Sequence, residues 1–376
     1  MLSPLPAAPD RSPESGVAPY TASLIRAMPT GVDLTVLAQR DVAQQQLGVA
    51  AVVPAWTPNL LLPIQVKTAL ARVKPDVLHM QHEFNLYGGL IQGALLTLMM
   101  IALRRRGLTT VATVHGVVAP DDVTTEFLAR NGLPRSRRMV RVAFASAYRA
   151  IDACTDLLIV HHEHFRGVLE IAYGVQGEKV VVIPPGAPER DNSIHRIQKI
   201  PGKHILALGF LTGYKIPEIL VETAESDAIP GATFTFCVGA NPRITDRGYR
   251  SRYAALERRV RALGSRAKWN GYIPDESLED MLNSADVLVL PYTECVSVSA
   301  VAALARRSQT RICYSRPLRP LFGSGPLEFE LNSVALGEAI ARALTMEADS
   351  SFSGFTSWTE AAQATQAAWI RALTLR

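Results

Sequence analysis

In PYTECVSVSAVAALA (291–305), an apolar run, Asp286 to Leu290, leads through PYTE and five mostly small residues, CVSVS, into an Ala-rich stretch. The run reads as a strand and the Ala-rich stretch as a helix. Free amides and the dipole at a helix start favour an anion, and small side chains let a phosphate come close. Cys295, Val296, Ser297, Val298 and Ser299 are therefore candidate phosphate-binding positions; the plainer reading is a turn capped by Ser297 or Ser299. Ser15-Gly16 opens a second helix, residues 17 to 28, in the same way. Lys215 follows an apolar run in LGFLTGYK, where its ammonium either meets phosphate oxygens or is an ordinary surface charge. His115 ends TTVATVH and is available to a substrate or to a nearby backbone group. His82 and Glu83 close DVLHMQHE. HHEH (161–164) has metal-ligand residue types, but they are nearly contiguous and lack a distant partner, so no metal site is expected.

Elements of alternating type must position these residues. Apolar runs recur at 33–38, 76–80, 109–115, 156–161 and 179–184, and a second series follows at 204–210, 233–239, 268–273, 286–292 and 310–315. They are continuously apolar, which marks strands covered on both faces and hence parallel α/β sheets. PPGAPERDNS (184–193) separates the two series and suits a hinge. The expected division is 1–187, 188–356 and a C-terminal helix, 357–376, that crosses back to the first domain. Ser357 and Glu360 form a capping-box pattern at the start of that helix. Ligands of such sheets bind beyond the carboxyl ends of the strands. Strand one should precede the turn at Gly16, yet only MLSPLP stands ahead of it.

At 376 residues, 48% hydrophobic and 19% charged, the chain has material for two cores. Cys154, Cys237, Cys295 and Cys313 are far apart, which argues against a disulfide framework and fits a reducing cytosol. No basic, then apolar, leader opens the sequence, so no signal peptide is expected. The segment LIQGALLTLMMIAL (90–103) falls short of the roughly 20 residues a membrane span needs and reads as a buried helix. Arginines cluster at 104–106, 135–141 and 250–266 without interleaved aromatics, so nucleic acid is not an expected partner. They leave a pull on anionic small molecules and a peripheral membrane contact as readings.

Taken together, SPLPAAPDRSPESGVAPYTASLIRAM, DVLHMQHEFNLYGG, VATVHGVV, VVVIPPGAP, LALGFLTGYK, GYIPDESLEDMLNSADVLVLPYTE and SWTEAAQ resemble, in the right order and over nearly the whole chain, the GT-B glycosyltransferases of the retaining GT4 type. The resemblance implies an α/β fold of two Rossmann-like doubly wound domains facing a central cleft. It implies a nucleotide-sugar donor held mostly by the second domain, UDP-linked or GDP-linked with UDP favoured, and an acceptor held by the first. The transfer it implies is metal-independent and retains anomeric configuration, with the nucleotide sugar as co-substrate and no separate cofactor. On this reading Gly16 brings its amide to the donor phosphate, His115 contacts the sugar, Lys215 neutralises the departing diphosphate and Glu294 orients sugar hydroxyls. Tyr272 and Ile273 meet the base through their backbone. His82, Glu83 and Tyr87 border an acceptor pocket lined by 83–90 and 116–127, whose acceptor is left open among small molecule, polysaccharide and lipid.

The sequence departs from the family pattern at several positions. The second glutamate of the E-x7-E motif falls at Ala302; Ser297 and Ile216 replace glycines; and Phe210 and Thr212 stand where an arginine partner of Lys215 is expected, with Arg243 as a substitute. Losing a charged hydrogen bond to ribose costs about 1.5 to 3 kcal/mol. A catalytically silent homologue that binds nucleotide or a partner is therefore the alternative function, and a nucleotide-sugar epimerase the next.

Overall fold

The computed structural model describes residues 1–6, 16–187, 202–241, 244, 246–308, 310–346 and 354–376; Ser15, Arg243 and the hinge residues 188–193 lie outside them. The chain divides into two compact units. One comprises Met1–Gly186, Val296–Val298 and Phe355–Arg376, the other Ala187–Cys295 and Ser299–Gly354.

In the first unit, strands Gln45–Leu47, Ala50–Trp56 and Leu34–Gln39 lie side by side in that order, and Val77–His82, Thr109–Val114, Leu157–Val160 and Val180–Val182 follow one another in a second group. Leu2 joins the groups, bridging Leu37 on one side and Met80 on the other, both parallel. The Leu2 N–H donates to the His79 carbonyl at 2.8 Å and the Leu37 N–H to the Met1 carbonyl at 2.8 Å. Met1 and Leu2 thus fill the middle of the sheet. Within these two groups the strand pairs are parallel except Gln45–Leu47 with Ala50–Trp56. Strand Thr109–Val114 is buried at every position, the consequence of cover on both faces.

Right-handed crossovers decide which face each helix takes. Helix Val17–Arg26 leads from the middle of the sheet towards one edge and packs with the C-terminal helix Trp358–Thr374. Helices Leu62–Val73, Leu90–Arg105 and Arg137–Cys154 lead the other way and form a row on the opposite face. The stretch 90–103 is a helix as its composition suggests, but it is not buried. Only Leu96 and Met100 are, whereas Leu90 is 83% exposed. Its apolar composition runs all round a helix that has just one side against the sheet. Strand Ala50–Trp56 escapes the apolar-run reading because Pro54 interrupts it. Pro54 is tolerated where the register slips, between Ala38 and Gln39 on the neighbouring strand.

The second unit has one six-stranded parallel sheet in the order Ala267–Trp269, Ala232–Gly239, Lys203–Phe210, Val287–Leu290, Arg311–Ser315, Glu328–Phe329. In chain order these are the third, second, first, fourth, fifth and sixth strands of the unit. The chain works outward to one edge and then returns to the other side of the first strand. Phe234, Phe236, Leu220, Val260, Val287 and Ile340 are central to its core. The capping box at Ser357 and Glu360 is present: the Glu360 N–H donates to Ser357 Oγ at 3.1 Å, and the Ser357 N–H to Glu360 Oε2 at 2.9 Å. All four cysteines are free and buried.

Candidate functional site

The reversal of strand order falls between Lys203–Phe210 and Val287–Leu290, and crossovers leaving in opposite directions open a crevice beyond the carboxyl ends there. Both chain segments that leave those two ends carry candidate residues. Lys215 is on one, tied to the other by a backbone bridge to Tyr292 and by the Ile216 N–H to the Pro291 carbonyl at 2.9 Å. Its Nζ lies 5.2 Å from the centre of the Tyr292 ring. Gly209, at φ +121°, leaves room for it: a Cβ there would stand 3.3 Å from Nζ. Among the described residues Lys215 makes no ion pair, and a recess lined by Gly209, Phe210, Lys215, Pro291 and Tyr292 adjoins it.

Arg252, a residue that motif spacing does not single out, fixes this segment. Its guanidinium grips Glu218 through Nε to Oε1 at 2.6 Å and Nη2 to Oε2 at 2.9 Å, and also donates to the carbonyls of Thr212 at 2.9 Å and Lys215 at 2.8 Å. With its charge used in this way, Arg252 is a positioning residue. Of the two positions where the motif's arginine is expected, Phe210 stacks on Tyr272 with ring centres 5.8 Å apart, and the Thr212 carbonyl is held by Arg252. Tyr272 and Ile273 follow the third strand, Ala267–Trp269, at the same edge. Ile216 packs on the core.

On the other segment Glu294 is 3% exposed and Thr293 Oγ1 donates to its Oε2 at 2.5 Å. The Thr293 N–H donates to the Tyr214 carbonyl at 2.8 Å, so the Glu294 and Lys215 segments are held together. Cys295 is buried. Helix Ala300–Ser308 starts as the turn suggests, and Ser299 caps it, its Oγ accepting from the Ala302 N–H at 3.4 Å while lying 3.2 Å from the Tyr292 hydroxyl. Ala302 is fully buried, whereas Val301 reaches the neighbourhood of Gly209. Val296, Ser297 and Val298 group with the first unit, where the Val117 N–H donates to the Val296 carbonyl at 2.8 Å.

In the first unit, His115 and His82 stand at the carboxyl end of the sheet and are linked by the His115 N–H to the His82 carbonyl, 2.9 Å. Both His115 ring nitrogens are engaged, Nε2 with the Gln81 amide at 2.7 Å and Nδ1 with His161 Nε2 at 3.3 Å. His161 Nδ1 must donate to the Ile183 carbonyl at 2.9 Å, which leaves its Nε2 bare. His115 Nδ1 then carries the proton between the rings, and Gln81 turns its NH2 to His115 Nε2. Further along, the Trp369 indole N–H donates to His79 Nδ1 at 2.9 Å, so His79 Nε2 donates to Thr113 Oγ1 at 2.8 Å. Burial lowers His79 to about 3 and His161 and His82 to about 4, and burial, then the neighbouring imidazoles, hold His115 well below its usual value. All four rings are neutral at pH 7. A sugar reaching His115 therefore meets a ring already bonded at both nitrogens.

His82 differs, because its Nδ1 is buried and has no partner among the described residues. Tyr87 lies inside the unit with its hydroxyl 2.8 Å from the Leu2 carbonyl and 2.9 Å from that of Gln81, so its place is structural and it offers no surface to an acceptor. Glu83 begins the turn that follows His82, its carbonyl accepting from the Leu86 N–H at 3.1 Å. Gly16 is exposed at the start of helix Val17–Arg26, with no side-chain cap and open space around it. The HHEH residues serve separate ends: His161 joins the buried array, His162 caps a short helix and His164 packs on Phe165.

Residues 15–190 match the family model Glycosyltransferase Family 4. The mannosylfructose-phosphate synthase of Agrobacterium fabrum is 29% identical over 152 residues, which is 37% of this chain and 33% of that protein. The match thus spans about a third of the length of that curated relative. Among solved structures, the sucrose-phosphate synthase of Thermosynechococcus elongatus superposes with a TM-score of 0.69 at 17% identity, covering 98% of this chain and 96% of that one. The Anabaena protein HepE, solved in complex with UDP-glucose, gives 0.63 at 14% identity, covering 100% and 96%.

Proposed function

We propose, for a chain that has the GT-B fold and resembles Glycosyltransferase Family 4 through residues 15–190, that it moves a sugar from a nucleotide-diphosphate donor to an acceptor hydroxyl with retention of configuration. The observation that carries this reading is Lys215: a cation without an ion pair among the described residues, held at the strand-order reversal by a backbone bridge and by Arg252. A UDP-linked donor is favoured, since UDP-glucose is the ligand named for one of the similar structures; a GDP-linked donor is the alternative.

The bond between the anomeric carbon and the diphosphate oxygen breaks as negative charge gathers on the leaving group, and Lys215 stabilises that charge as it builds. The acceptor oxygen attacks from the face the diphosphate leaves, and its proton passes to a phosphate oxygen. Glu294 orients sugar hydroxyls. The protein needs no cofactor or metal of its own in this scheme.

Buried Ala302 and the Phe210–Tyr272 stack favour a second reading, a silent homologue that holds a nucleotide without turning it over. Mass spectrometry of products, after donor sugars are screened against sugar, lipid and polysaccharide acceptors, separates the two. The transfer reading expects a sugar-shifted product with free nucleotide diphosphate; binding of nucleotide with no product from any pair supports the silent one. Arg252→Met is expected to weaken nucleotide binding about tenfold, about 1.4 kcal/mol, by loosening the Lys215 segment. Calorimetric titration checks this, and unchanged affinity would deny Arg252 its positioning role.

A further inference from the structure

We propose that the helix row of the first unit, Leu62–Val73, Leu90–Arg105 and Arg137–Cys154, docks the protein onto an anionic membrane surface. Each helix follows a strand of a parallel sheet and runs back against it, so all three helix starts lie at one end of the unit, the end that carries His82 and His115. Large apolar side chains stand out at those starts. Leu61 is 56% exposed and Ile64 63% on the first helix, Leu90 83% and Ile91 64% on the second, and Met139 53% and Val142 59% on the third. Burying such residues would stabilise the protein by roughly 1.5–3 kcal/mol each, yet among the described residues of the first unit nothing covers them.

The charges on the three helices themselves are nearly all of one sign, although the loop before the third brings Asp121 to 4.0 Å from Arg141. Arg135, Arg137 and Arg138 are exposed at the start of the third helix and Lys67 on the first. Asp152, at the far end of the third helix, is the only carboxylate on the row. The first turn of each helix lacks an acidic residue, and the third begins with two arginines, against the helix dipole. Elsewhere in the same unit the helices that begin at Thr125 and Trp358 carry Glu126 and Glu360 in the first turn, while Val17–Arg26 has no acidic residue there. A surface that supplies negative charge and accepts apolar side chains in the same plane removes both penalties. The headgroup and acyl boundary of an anionic bilayer is such a surface. The contact is peripheral, since no helix among the described residues is long and apolar enough to cross a membrane.

Flotation of the full chain with phosphatidylcholine vesicles, with and without one-third phosphatidylglycerol, tests this independently of any donor or acceptor. The protein is expected to float with the anionic vesicles and not with the neutral ones, and to be released by salt. Arg137→Gln with Arg138→Gln should weaken binding about 25-fold, about fivefold for each charge. Leu90→Glu with Ile91→Glu should abolish it, with far-UV circular dichroism unchanged because both side chains are exposed. Absence from the anionic fraction would overturn the proposal, as would retention of binding by Leu90→Glu with Ile91→Glu. A solution dimer that this double variant splits, seen by analytical ultracentrifugation, would instead assign the face to a second copy and overturn it equally.

Discussion

Lys215→Ala is expected to lower sugar transfer by about 10² to 10³-fold while the thermal midpoint stays close to that of the wild type. The size follows from where the charge acts. Its benefit grows as the diphosphate departs, so the loss falls mainly on turnover and less on the binding of an intact donor. The fold is spared because Lys215 meets its surroundings chiefly through backbone, the bridge to Tyr292 and the carbonyl held by Arg252, and alanine keeps both. Lys215→Arg should recover part of the rate, since charge is restored but the room beside Gly209 suits a slimmer head. Steady-state kinetics decide: unchanged turnover in Lys215→Ala would remove this lysine from the chemistry.

Acid should unfold the first unit well above the carboxylate range. His79 and His161 are 2% and 4% exposed, and burial lowers them to about 3 and about 4. Above the ordinary histidine value, about 6.5, both rings are neutral in folded and unfolded chains and cost nothing. Below it the unfolded chain takes up protons that the folded chain refuses, so stability falls as pH drops towards the folded values. Each ring contributes about 1.4 kcal/mol per pH unit, so the pair removes about 3 kcal/mol per unit between pH 6 and 4.5, a large share of an ordinary folding free energy. Calorimetry at pH 5 in buffers of different ionisation enthalpy should show these rings adding about two protons to the uptake on unfolding. A midpoint that stays flat from pH 6.5 to 4.5 would contradict the buried neutral array.

How much of this was legible in the sequence depended on how local each signal was. The ten apolar runs mark strands because parallel sheets bury both faces, and each run overlaps a strand of the structure. Ala50–Trp56 was hidden by Pro54. The strand at Leu2 was hidden by its brevity, since residues that need only two neighbours to be held carry no periodic pattern of their own. The helix at 90–105 was legible as a helix but not in its exposure, because composition alone says nothing of which side meets the sheet. Lys215 stands out because a cation follows soon after a strand end, whereas Glu294 is marked only by its resemblance to the first glutamate of the E-x7-E motif. Arg252 was not legible. It lies far along the chain from the segment it clamps, and RGYRSRYAALERRVRA offers several arginines with no local mark to choose among them. The array of His79, Gln81, His115 and His161 with Trp369 draws on three strands and the C-terminal helix, and only the pairing of those elements reveals it.

The central claim is that Lys215, at the strand-order reversal of the second unit, receives the diphosphate of a nucleotide. Isothermal titration of the wild type and Lys215→Ala with UDP and with GDP tests it most directly. The account predicts saturable heat with at least one of the two nucleotides, UDP first, and binding at least about tenfold weaker in the variant. No heat from either nucleotide at millimolar concentration, or equal affinity in both proteins, would contradict it.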